Sequence, residues 1–226
     1  MVLVLAIETS ALGGSVALAE DAGLLAERGL AAGQRSAQGL IPAIDELLRD
    51  AGRRVQDVGL IGVTIGPGSF TGLRVGVTTA KTLAYALQSP TVGLDTLDVL
   101  AAQAPAGSPG GRLHAILDAQ RQELFAATFA WQGESWSRTG ATAIVPLAAW
   151  VDSLSAGDLV TGPAAGRWGA KLPAGVALAP ESLREPQAAT VARLAFARYE
   201  QGQVDDFWKL APAYYRPSAA EEKAKA

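Results

Sequence analysis

The chain opens on an unbroken aliphatic run. "VLVLAIETS" (2–10) carries apolar side chains at consecutive positions and ends in a polar turn, the pattern of a central strand covered on both faces. "GGSVALAE" and "GLLAERGL" follow closely, set off by Gly13-Gly14 and by Asp21-Ala22-Gly23, which predicts two hairpins and a three-strand antiparallel meander. In "SAQGLIPAIDELLRDAG" (36–52), Leu40, Ile41, Ile44, Leu47, Leu48 and Ala51 fall on one helical stripe. Ser36 is its expected N-cap and Gly52 its stop, while Pro42 implies a start near it or a kinked first turn. "VGLIGVTIG" (58–66) reads as a second buried strand and is followed by a glycine loop and a helix over roughly 71–87. A short strand (90–94) and a helix capped by Asp95 (95–105) complete the first half. A meander feeding parallel strands through crossover helices is the plan of a ribonuclease-H-like lobe.

"AQAPAGSPGGR" (102–112) is the clear shift in composition and marks a boundary. Beyond it, "LHAILDAQRQELFAATFAW" (113–131) repeats the opening device of strand, acid, turn and strand: Glu8 ends the first such strand, Asp118 the second. "GDLVTGPAAGRWG" predicts a strand entering a loop, 185–202 a helix, and "PSAAEEKAKA" a disordered polar tail.

Composition narrows the function classes. With 49% hydrophobic and 18% charged residues, the 226-residue chain folds around a real core. A net charge of −3, with Lys and Arg scattered, argues against gripping a nucleic-acid backbone unaided. No cysteine is present, which removes disulfides and thiolate chemistry, and the single histidine, His114, is expected as a structural strand residue. The run Val2–Ile7 is far shorter than the ~20 residues of a membrane span and lacks a basic leader, so a cytoplasmic location is expected.

The glycine loop invites a phosphate but does not match one. Five residues separate Gly66 from Gly72 and Leu73 follows, where a P-loop has four and then Lys-Ser/Thr. Gly66, Gly68 and Gly72 are also one residue too wide for a dinucleotide fingerprint. Ser69 has Pro67 and Thr71 where a nucleophile elbow has glycines, leaving it or Thr71 as a helix cap. The helix that follows is smooth along Gly76, Thr79 and Ala80 and carries only Arg74 and Lys81 as charges. Beyond the sheet-facing side, its surface is either covered internally or forms a helix–helix interface.

"LAIETSALGGSVAL", "GVTIGPGSFTGLRVGVTTAKTLAYAL" and "ILDAQRQELFAATF" together resemble the TsaB (YeaZ) family, a subunit of the bacterial machinery that makes threonylcarbamoyladenosine beside the tRNA anticodon. The resemblance covers roughly 1–130, and "LVTGPAAGRWG" and "APAYYRP" resemble weaker family features. It implies an α/β fold of two ribonuclease-H-like lobes of the actin, sugar-kinase and heat-shock-chaperone superfamily, the second lobe reduced. The lobes are expected at 1–103 and 112–216, with the tail at 217–226. It also implies a non-catalytic scaffold that pairs with TsaD, or with a second copy of itself. TsaE joins the larger complex, TsaC or its relatives supply the threonylcarbamoyl-adenylate, and tRNA is met through the complex.

On that resemblance the partner interface maps to Ser36, Leu40, Ile44, Thr71, Arg74, Val75, Thr78 and Thr82. Leu40→Asp or Val75→Asp would then break assembly without unfolding. A vestigial nucleotide site maps to Glu8, Thr9 and Ser10 with Asp118, and no cofactor or metal is expected beyond weak nucleotide binding. The His-x-x-x-His pair of TsaD has no counterpart, and Arg35-Ser36 stands where family members often carry His-Ser. The alternative is an autonomous ATP-dependent phosphotransferase or ATPase of the same superfamily; a protease is disfavoured by the single His and absent Cys.

Overall fold

A computed structural model describes residues 1–30 and 36–216, the side chains of Ser36 and Ala37 excepted. The expected tail and the Arg35-Ser36 contacts lie outside the described residues. Strands β1 (Leu3–Glu8), β2 (Ser15–Glu20) and β3 (Gly23–Gly29) form the meander, followed by α1 (Ser36–Asp50), β4 (Val58–Gly66), α2 (Phe70–Leu87), β5 (Thr91–Asp95) and α3 (Thr96–Gln103). The sheet order is β3-β2-β1-β4-β5, with β4 and β5 parallel to β1, as the ribonuclease-H-like plan requires. β1 is wholly buried, and its alternate residues serve two cores. Leu3, Leu5 and Ile7 pack under α1 and α2, while Val4 and Ala6 face the opposite side.

α1 corrects one detail of its expected stripe. Leu40, Ala43, Ile44, Leu47 and Leu48 are buried, but Ile41 is 56% exposed. Pro42 sits within the helix on this solvent side, where the carbonyl it leaves without a donor can be hydrated. Gly52 ends the helix at φ +63°, with Arg53 N–H donating to Leu48 O and Gly52 N–H to Arg49 O, a Schellman stop.

The second half holds β6 (Arg112–Asp118), β7 (Glu123–Trp131), β8 (Trp136–Arg138), β9 (Ala143–Pro146), α4 (Leu147–Asp152), β10 (Leu159–Thr161), α5 (Pro163–Trp168), β11 (Ala177–Leu178) and α6 (Ala188–Glu200). Its sheet runs β11-β10-β6-β7-β8, with β9 pairing the first half of β7. Sheet residues Leu113, Ala115 and Phe129 pack against α3, and Ile116, Leu124 and Val160 pack against α4 and α5. The layers are therefore helices, sheet, helices, sheet, helices.

The segment expected within 112–216 does not stay on the second sheet. α6 lies on the first, with Val191 and Ala195 against β4 so closely that a methyl at Gly62 would overlap Ala195. The chain then runs as a strap along the first lobe. Asp205 N–H donates to Thr91 O, Gly93 N–H donates to Asp205 Oδ2, and Ala213 N–H donates to Ile65 O. Arg216 ends it on the second lobe, donating to Ala119 O at 2.6 Å and pairing with Glu123.

Candidate functional site

The two acids that end the first strand of each sheet are the natural place to look for chemistry. Glu8 closes β1 and is fully buried. Its Oε1 accepts from Ser10 N–H at 2.7 Å, from Ser10 Oγ, and from Thr64 Oγ1 at 3.4 Å, whereas Oε2 has no partner among the described residues. Burial pushes the carboxyl up to about 7, the Ser10 and Thr64 hydrogen bonds only partly opposing it.

Above this turn sits the N-terminus of α2. Ser69 caps the helix, accepting from Gly72 N–H at 3.2 Å. Its own N–H donates to Ser10 O at 2.7 Å. A Cβ on Gly68 would lie within 3.0 Å of Ser10 O, one on Gly72 within 3.0 Å of Thr9 O, and one on Gly76 within 3.0 Å of Thr9 Oγ1. The glycines therefore let the loop and helix lie directly on the Thr9-Ser10 backbone. The amides here are engaged by the chain itself: Thr9 N–H approaches Thr64 Oγ1, Ser10 N–H binds Glu8, and Ser69 N–H binds Ser10.

Asp118 is likewise engaged. Oδ1 accepts from Gln120 N–H at 2.7 Å and Oδ2 pairs with Arg167 at 2.6 Å. The turn that follows passes through three left-handed residues, Gln120, Arg121 and Gln122, without a glycine. Among the described residues no group of three His, Cys, Asp or Glu is placed to hold a metal, and no helix is long and apolar enough to cross a membrane.

The residues expected at an interface divide into two sets. Leu40 and Ile44 are 1% and 5% exposed and belong to the core beneath α1, because their stripe faces β1 and β2. That corrects their assignment to an outer face, where Ile41 stands instead. Ser36 opens α1, its side chain lying outside the description. Thr71, Thr78 and Thr82 are exposed and Val75 half-buried along one side of α2. Arg74 stacks 3.9 Å over Phe70 and hydrogen-bonds Tyr214, and Lys81 donates to Trp208 O and Leu210 O. The strap thus covers one flank of α2 and leaves the threonine flank open. Nothing in local periodicity could have signalled that cover, since it comes from more than a hundred residues away.

Two layered lobes, each beginning its sheet with an acid-ended strand, define an α/β fold of two ribonuclease-H-like lobes, the second reduced. A solved activator of 2-hydroxyisocaproyl-CoA dehydratase from Clostridium difficile with bound ADPNP shares that fold at TM-score 0.51 and 9% identity, over 90% of this chain and 98% of that one. Nearer structures and sequences narrow the family. YeaZ from Pseudomonas aeruginosa superposes at TM-score 0.78 with 27% identity, covering 95% of this chain and all of that one. The Bacillus subtilis (strain 168) tRNA threonylcarbamoyladenosine biosynthesis protein TsaB is 32% identical over 69% of this chain and 67% of its own length. The family model of TsaD, tRNA N6-adenosine threonylcarbamoyltransferase, matches residues 30–171. The chain belongs to the TsaB family, a branch of the same fold as TsaD.

Proposed function

We propose that the chain is a non-catalytic scaffold subunit in the synthesis of tRNA threonylcarbamoyladenosine, pairing with TsaD in the cytoplasm. One observation carries this reading: the backbone amides of Thr9, Ser10, Ser69 and Gly72, where the turn after β1 meets the α2 N-terminus, bind the chain itself. A phosphate needs such amides free and pointing at it. Burial, which raises the Glu8 carboxyl to about 7, also makes it a weaker metal ligand than an ordinary carboxylate. The loop shaped like a phosphate cradle instead fastens α2 to β1 and so holds a rigid helical face.

That face is the open flank of α2, with Thr71, Val75, Thr78 and Thr82, continued by Ile41 on the neighbouring α1. Short side chains admit close approach of a partner helix, and Ile41 offers apolar area to bury. Docking of TsaD on this face orders the TsaD active site. TsaE joins the larger assembly and tRNA is met through it. In the absence of TsaD the same face pairs two copies of the chain.

The test is size-exclusion chromatography of the chain with its cognate TsaD. Co-elution is expected for the wild type and is lost in Ile41→Asp and Thr78→Arg, both keeping the wild-type unfolding midpoint. Leu40→Asp is now expected to unfold the chain instead. A wild type that does not co-elute with TsaD overturns the reading. Calorimetry with ATP and magnesium addresses the phosphotransferase alternative, which needs binding that Asp118→Ala abolishes.

A further inference from the structure

The aromatic rings that folding leaves in water are not scattered over the surface. Phe70, Tyr85, Trp208, Tyr214 and Tyr215 are the exposed ones among the described residues, and the first four gather along α2. Phe70 and Tyr85 belong to the helix. Tyr214 packs on Phe70 with ring centroids 5.1 Å apart, and Trp208 stands edge-on to Tyr85 at 5.5 Å. Tyr85 follows Thr78 by two helical turns and Thr82 by one, so its ring lies between the open threonine flank and the strap. Arg74, stacked on Phe70, stands one turn after Thr71 and one turn before Thr78, and borders the flank at its other end.

Trp208 is held out into solvent by a pinned turn. Its carbonyl accepts from Lys81 Nζ at 3.1 Å and its N–H donates to Asp206 Oδ1 at 2.9 Å. Lys81 also donates to the carbonyl of Leu210, whose side chain is buried in the core beneath α2. Phe207 packs against the same core, its ring 4.9 Å from that of Trp208. The backbone is thus fastened on both sides of a side chain that stays 67% exposed, beside Tyr85 at 57%. Rings of this size forgo the stabilisation of burial while they face water. Held in one place, they lose little freedom when a partner covers them.

We propose that these rings form the anchoring rim of the TsaD docking surface, and that the partner lays a helix along α2 with apolar side chains packed on Trp208 and Tyr85. This inference rests on the reading that TsaD docks on α2. The threonine flank admits a close helix but supplies little binding energy. Thr and Val are under-represented among the residues that dominate interfaces, whereas Trp, Tyr and Arg are enriched. Each side of a stable complex covers roughly 800 Å2. At their exposures, Trp208 and Tyr85 together add roughly 200 Å2 to the flank. From Phe70 to Tyr85 the helix runs about 22 Å, which a partner helix of about four turns matches. The cations beside the rings disfavour a nucleic acid here, since single strands need a positive groove beside their stacking rings. Arg74 lies 3.9 Å over Phe70, Lys81 is engaged by two carbonyls, and Lys209 stands 3.5 Å from Asp206.

The experiment measures the affinity of the full chain for its cognate TsaD by titration calorimetry and repeats it with Trp208→Ala, Tyr85→Ala and Trp208→Phe. Trp208→Ala is expected to weaken pairing by about tenfold or more, Tyr85→Ala to weaken it as well, and Trp208→Phe to keep most of the affinity. Both alanine variants should keep the wild-type unfolding midpoint, because their rings lie mostly outside the core. Wild-type affinity in Trp208→Ala overturns this proposal and leaves the α2 reading standing, whereas a wild type that does not bind TsaD overturns both. Light scattering of the chain alone and binding of cognate tRNA address the other occupants. If Trp208→Ala loses self-association while its TsaD affinity is unchanged, the rim belongs to a second copy. If it loses tRNA binding on the same terms, the rim belongs to RNA. Either result overturns the proposal.

Discussion

Glu8 is a carboxyl that folding makes harder to ionise, and its location at the end of a buried strand is the cause. Its pKa moves from 4.5 to about 7, with burial as the largest contribution. Between those values the unfolded chain has lost the proton and the folded chain keeps it. The folded state then binds more protons, so stability falls as pH rises through this window and levels off above it. Below it the contribution is fully present. A shift of this size corresponds to roughly 3 kcal/mol in total. Glu8→Gln keeps the shape and removes the charge, so the fall should flatten and the variant should be the more stable above pH 7. Urea unfolding of both proteins across the window reads this, and comparing the two cancels the contribution of His114. Equal slopes would show that Glu8 is not the titrating group. The position of this acid was legible in the sequence; its raised pKa was not, because the burial that causes it comes from β4 and the α2 loop, segments remote from it in the chain.

At the scale of elements, α2 shows what glycine spacing can and cannot convey. The spacing alone excludes both phosphate motifs, and Ser69 caps the helix as its residue type suggests. The reason for the glycines was invisible, since the atoms they make room for belong to Thr9 and Ser10, some sixty positions earlier. Gly72→Ala tests that reason. In an ordinary helix interior the change would gain about 1 kcal/mol in propensity. Here the methyl meets a backbone carbonyl that cannot rotate away, and overpacking of this kind costs about 1–3 kcal/mol or more. The expected net effect is destabilisation in urea unfolding; a stabilised variant would show that helix and turn are not packed so closely. α1 shows a different limit. Adjacent pairs such as Leu47 and Leu48 are both buried, and Ile41 falls just past Leu48 at the edge of the stripe, so periodicity alone could not show that the sheet stops short of it. α4, β8 and β9 were missed because three to six residues carry no period.

For the whole molecule, the question is how two sheets joined by one Ala-, Gly- and Pro-rich link are kept in register. The chain answers by returning: α6 and the strap lie on the first lobe although they follow the second, an arrangement that local pattern cannot express. A polar tie adds to this. Arg138 on β8 donates to Asp98 at 2.8 Å and pairs with Asp95 at 3.0 Å, and Tyr215 Oη donates to Asp95 at 3.1 Å. Asp95 caps α3, so one guanidinium from the second sheet holds the helix that lies between the two sheets. Burial raises the Asp98 carboxyl despite Arg138, so the acid already resists ionising with its cation present. Arg138→Met would leave two carboxylates side by side. A fully buried pair that loses one partner costs about 3–5 kcal/mol, but these side chains keep 20–28% of their exposure and Arg198 stands 3.9 Å from Asp98. The expected loss is therefore nearer 2 kcal/mol in urea unfolding, after the discount for solvent screening. Asp98→Asn in the same chain should restore much of it, because the repulsion is then gone. Amide exchange should quicken along α3 and β8 in the single variant while β1 stays protected. A single variant within about 0.5 kcal/mol of the wild type, with unchanged exchange, would mean that α6 and the strap alone hold the lobes together.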